Sequence, residues 1–171
     1  MRSQKKLILK RMAGASLLEV LVAILILSLA ALANAGLQIS GIRANSSSKY
    51  RSIATAQASD MADRMRTNRP GLSYYANASG IPTDPGCVTV ASPCSATDMG
   101  KHDVFEWNTA NAKVLPGGEG IICLDNTADP RVGTAAAPAC SGTGTTYSIK
   151  IWWDDSHGEK AKQLFVTNFQ P

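Results

Sequence analysis

Residues 10–42 read KRMAGASLLEVLVAILILSLAALANAGLQISGI. Two bases open the stretch, and from Ala13 to Ile42 the one charged residue is Glu19. The 23 residues from Val20 to Ile42 carry no charge and are mostly Leu, Val, Ile and Ala. About 20 such residues span a bilayer as a helix. Arg2, Lys5, Lys6, Lys10 and Arg11 precede them without an acid, which predicts a cytoplasmic N-terminus and an exported remainder. A carboxylate inside the span costs on the order of 2.5–3.5 kcal/mol on insertion scales, so Glu19 needs a reason to be there. A plain transmembrane anchor gives it none. Nor does a secretory signal peptide cut at Ala33-Asn34-Ala35, which would release a soluble binding domain starting at Gly36.

The basic leader, Gly14, and Glu19 five residues on resemble the leader of type IV pilins and of the related type II secretion pseudopilins. The resemblance implies cleavage by a prepilin peptidase after Gly14 and methylation of the new N-terminus, Ala15. The family usually has Phe at that first position. Glu19 would then be fifth in the mature chain, one helical turn from the new amine and on the same face. An unpaired carboxylate in apolar surroundings is expensive, which gives a physical reason to pair with its own amine or with that of a neighbouring subunit.

The helical pattern continues past the span. Residues 43–69 contain no Pro and no Gly, and Tyr50, Ile53, Ala54, Met61, Ala62 and Met65 recur at three- and four-residue spacing. Asn68-Arg69-Pro70-Gly71 supplies a stop. One helix over 16–68 is predicted, weakened at Gly36 and Gly41 by about 1 kcal/mol each relative to Ala. Ala35-Gly36-Leu37-Gln38 and the run from Ala56 to Gly71 resemble PilV-type minor pilins, also called type IV pilus modification proteins. That narrower resemblance implies a structural subunit that joins other minor pilins and the major pilin at an inner-membrane assembly platform, near the pilus tip. It implies no cofactor.

The net charge of +4 comes from the N-terminus: without its five bases, 12 bases face 13 acids. With aromatics at 6%, that argues against a nucleic-acid surface. Cys87, Cys94, Cys123 and Cys140 in an exported domain read as two disulfides. Their order suggests Cys87–Cys94 and Cys123–Cys140, although four cysteines allow three connectivities.

The remaining chain reads as loop over 72–95, helix over 97–115, strand over 121–124, polar loop over 126–144, and strands over 145–154 and 163–169. The expectation is an α+β, pilin-like fold in which a long helix packs on a small antiparallel sheet with a second short helix. The domains expected are leader 1–14, membrane or filament-core helix 15–42, amphipathic helix 43–70 and periplasmic domain 71–171. On the 145–154 strand, Tyr147, Ile149, Ile151 and Trp153 share one face, and Ser148, Lys150, Trp152 and Asp154 the other. One Trp is expected in the core and the other partly covered by the long helix or a partner.

No catalytic constellation stands out. His102 and His157 are expected in solvent. Asp125-Asn126-Thr127-Ala128-Asp129 lacks the Gly and distal Glu of a calcium loop and reads as an Asx-rich turn. Pro116-Gly117-Gly118-Glu119-Gly120 lacks the Lys-Ser/Thr of a phosphate loop and reads as a turn from helix to strand.

Overall fold

The computed structural model describes residues 16–78, 80–156 and 158–171. The chain divides into two compact units, Met1–Ala44 and Asn45–Pro171. One helix, α1 (Leu17–Thr67), has residues in both. In the first unit its large apolar side chains are exposed on every side, from Leu17 and Leu18 through Leu27 to Ile42. It is long and apolar enough to cross a membrane. A helix apolar all round suits lipid or the centre of a helix bundle rather than water. Ser28 returns its hydroxyl to the Leu25 carbonyl at 2.8 Å, which satisfies its donor within the helix.

In the second unit α1 becomes amphipathic. Ala54, Ala58, Met61, Ala62 and Met65 are buried, and Tyr50 and Ile53 pack against them half-buried. Pro70 cannot continue the ladder. The chain turns through a 3₁₀ segment (Arg69–Gly71) into one helical turn, α2 (Leu72–Tyr75), and a two-residue strand, β1 (Asn77–Ala78). Gly71 is needed at the turn because a Cβ there would lie 2.5 Å from the Ala96 carbonyl oxygen. These elements correct the loop expected over 72–95. Tyr75 is buried in the core, and the β1 backbone pairs with Ile122 and Cys123. Both elements are too short to show a period.

Helix α3 (Ala96–Val114) begins at Ser95, whose hydroxyl accepts the Asp98 amide at 3.1 Å. Ser95→Ala should lower stability by about 1 kcal/mol, read from urea unfolding of the full chain in detergent by tryptophan fluorescence. Val104, Trp107, Asn108 and Asn111 line the buried face of α3. The helix ends at Leu115, extended as a residue before proline tends to be.

Strands β2 (Glu119–Leu124), β3 (Tyr147–Trp153) and β4 (Gln163–Phe169) complete a four-stranded antiparallel sheet in the order β1-β2-β3-β4. Ile122, Tyr147, Ile149, Ile151, Trp153 and Phe169 join α1 and α3 in one core. The fold is therefore α+β and pilin-like: a long helix on a small antiparallel sheet.

The alternation along β3 separates two faces, and both are buried: all seven residues of the strand are covered. The chain between β2 and β3 covers the face of Lys150 and Trp152. Lys150 Nζ donates to the Pro138 carbonyl at 2.8 Å, and Trp152 Nε1 donates to that of Gly133 at 3.3 Å. Trp152 is thus covered by the chain's own loop rather than by the long helix or a partner.

Candidate functional site

The most exposed apolar surface is the N-terminal half of α1, and it carries one charged side chain, Glu19. Glu19 is exposed and lies in the first turn, where the helix dipole favours a negative charge. Gly14 and Ala15 lie outside the described residues, as does His157.

In the second unit, a polar network fastens the end of α1 to α3. Arg64 bonds Asp60 at 3.0 Å, Asp103 at 3.3 Å and Glu106 at 3.2 Å. Burial opposes the Arg64 charge, but the neighbouring carboxylates outweigh it and raise its pKa. Tyr75 donates to Asp103 at 2.5 Å, and Asn68 donates to Tyr75 and to the Ala96 carbonyl. Burial and the bond to Asp103 push the Tyr75 phenol well up. Sequence reading missed this network because bonded members lie up to 42 residues apart and share no period. The signal available was Arg64 and Asn68 beside the core positions Met61 and Met65 on α1.

His102 also departs from expectation. Its Nδ1 is 2.9 Å from Asp84 Oδ1 and its Nε2 is 3.6 Å from Glu106, and the side chain is largely covered. It links the segment before the Cys87–Cys94 ring to α3. That contact, together with the Gly86 amide, holds the Asp84 carboxyl below the usual range.

The structure joins Cys87 to Cys94 and Cys123 to Cys140, with Cα separations of 4.8 and 6.1 Å. Among the described residues no cysteine is free. Cys123, Asp125 and Cys140 bring possible ligand atoms within 4.8 Å of one another. Both sulfurs are consumed in the disulfide, so no thiolate is available to hold a metal there. Asp125 and Asp129 instead accept the amides two residues on, at 3.1 and 3.0 Å, as Asx turns do. Behind the disulfide, Asp125 Oδ2 stands 3.0 Å from Lys150 Nζ, both side chains fully buried. Burial would raise the Asp125 carboxyl, but Lys150 and the Thr127 donors hold it below the usual range. Gly120 is not part of the turn; it lies in β2, directly against Trp107.

The first unit offers an apolar helix, and the second a domain braced by two disulfides. A family model described as Tt1218-like, type IV pilin Tt1218, matches residues 36–105. The match supports the type IV pilin superfamily. No curated protein and no solved structure matches the chain. The pilin match takes in part of the apolar half of α1, all of its packed half and the Asn68–Gly71 turn. It extends through the Cys87–Cys94 ring to Phe105 in α3, so it contains Arg64, Asn68, Tyr75 and Asp103. A single apolar N-terminal helix with this match fits a single-pass membrane pilin with a structural role.

Proposed function

We propose that the chain is a minor pilin of the PilV type that takes part in initiating type IV pilus assembly near the tip. The observation that carries the reading is one carboxylate, Glu19, on an otherwise apolar helix that leads into the region of pilin similarity. The chain would enter the inner membrane with residues 1–14 cytoplasmic and residues 71–171 periplasmic. Prepilin peptidase would cut after Gly14 and Ala15 would be methylated. Helix 15–42 would then leave lipid for a bundle of pilin helices, a nearly isohydrophobic exchange. Packing and the pairing of Glu19 with an N-terminal amine would set the register. Helix 43–70 would carry the domain. Partners would be the other minor pilins, the major pilin and the inner-membrane assembly platform, with no nucleic acid and no catalysis. A type II secretion pseudopilin would share the leader, but residues 57–70 favour the pilus.

The test is the intact mass and N-terminal residue of the protein from membranes of its native host. Ala15 carrying one methyl is expected. Gly36 would overturn the proposal in favour of a secreted domain. Glu19→Ala should leave that N-terminus unchanged and lower the amount recovered in sheared pili. Undiminished recovery would end the pairing argument.

A further inference from the structure

Between Gly80 and Cys94 the chain forms no helix and no strand, and most of its residues are exposed. Cys87 is the one buried residue of this strap. The Cys87–Cys94 disulfide closes within the strap and does not fasten it to the rest of the domain. Nor do the Gly86 and Ser92 amides, which bond Asp84 and Thr89. Among the described residues, one hydrogen bond leaves the strap: Asp84 Oδ1 meets His102 Nδ1, on α3, at 2.9 Å.

That imidazole stands between two carboxylates. Its Nε2 is 3.6 Å from Glu106 Oε1, one turn further along α3. An ionised carboxylate only accepts hydrogen bonds, so each ring nitrogen that faces one needs a hydrogen. The neutral ring has one such hydrogen and the protonated ring has two. The protonated ring therefore satisfies both sides, and its charge roughly doubles the strength of the bond to Asp84. The neutral ring keeps one uncharged bond and turns a lone pair towards the other carboxylate.

The surrounding charges confine the change to the strap. From α1, Arg64 holds the second oxygen of Glu106 at 3.2 Å, and it also bonds Asp60 and Asp103. Glu106 thus keeps a cation when His102 gives up its charge, and the join between α1 and α3 survives. On α3, Lys101 is taken up by Asp98 at 2.9 Å. On α2, burial raises the Tyr74 phenol and keeps it neutral. Asp84 pairs with no cation but His102 among the described residues, and its remaining partner is the Gly86 amide at 3.0 Å.

We propose that His102 is a pH-sensitive latch: protonated, it ties the 80–94 strap to α3, and it loosens the strap as the pH rises between about 5 and 8, where histidine loses its charge. Asp84 stays ionised throughout that range, because the His102 bond and the Gly86 amide hold its carboxyl below the usual range. The switch therefore lies in the imidazole. What the latch restrains is the Cys87–Cys94 ring, which carries Val88 and Val90 exposed. The latch belongs to the second unit and does not depend on the assembly role proposed above.

The test is proteolysis of the full chain in detergent micelles. Proteinase K cleavage within 80–86 is counted by mass spectrometry against cleavage within 127–137, an exposed loop of the same molecule. The ratio cancels the protease's own pH dependence. It should rise roughly three- to tenfold from about pH 6 to about pH 8. His102→Gln, whose side chain is neutral at both values, and Asp84→Asn should give the high ratio throughout. Both variants should keep both disulfides and the tryptophan emission of the parent, which shows the domain still folded. A parent ratio that does not change with pH would overturn the latch, and so would a rise that persists in His102→Gln. Should His102→Gln lose the parent's emission, Asp84→Asn decides in its place, since Asp84 lies on the strap outside the core. A rise that persists there overturns the latch, and a high, flat ratio supports it.

Discussion

Lys150→Met unfolds with about 3–5 kcal/mol less stability than the parent chain. Lys150 and Asp125 are both wholly buried and 3.0 Å apart, behind the Cys123–Cys140 disulfide. Met nearly preserves the length and apolar stem of Lys, so little of the loss comes from a cavity. It comes from an Asp125 carboxylate left without its cation, and from the Pro138 carbonyl left without its donor. Adding Asp125→Asn to Lys150→Met should recover most of the loss. The charge is then gone, and the amide oxygen can still accept from Thr127. A double variant as unstable as Lys150→Met alone would mean that shape, not charge, is what the site requires.

The pH dependence follows from the depressed Asp125 carboxyl. A carboxyl held below its unfolded value, about 3.9, adds stability that is present above that pH. The contribution disappears as the pH falls through the lower folded value. The parent chain should therefore lose stability below about pH 4. The gap between it and Lys150→Met, measured by urea unfolding at several pH values, should be widest near neutrality and close in acid.

Lys150 also shows where sequence reading stops. Alternation along β3 correctly separates Ile149 and Ile151 from Ser148 and Lys150. It cannot say that the second face is covered too, because the cover comes from a loop with no period, fixed by Cys140 and the Pro138 carbonyl. The packed half of α1 was legible because Ala54, Met61 and Met65 repeat at helical spacing for several turns. α2 and β1 were not, because one helical turn and two strand residues carry no repeat. Glu19 was legible as an energetic anomaly, a charge where the surroundings disfavour one. The join between α1 and α3 was not, since Arg64, Tyr75 and Asp103 meet only once the chain has turned at Gly71.

Trp107→Ala should cost about 3–5 kcal/mol, the usual loss for a fully buried aromatic. Trp107 is wholly buried on α3, and its Nε1 donates to the Gln57 carbonyl on α1 at 2.8 Å. Its ring also sits against β2: a Cβ at Gly120 would lie 2.3 Å from the ring carbons. One side chain therefore joins α1, α3 and the sheet, and Gly120 is glycine because the ring occupies the space a side chain would take. Gly120 is fixed further by its amide, which donates to Asn108 Oδ1 at 2.7 Å. Gly120→Ala alone should cost about 1–3 kcal/mol by overpacking. Placed in the Trp107→Ala background, the same methyl enters the vacated space and its cost should largely vanish. The double variant should thus fall short of the sum of the singles by at least about 0.5 kcal/mol, the coupling expected of residues in contact. Strict additivity in urea unfolding would show that Gly120 does not yield its space to Trp107, and that the glycine serves the strand backbone alone.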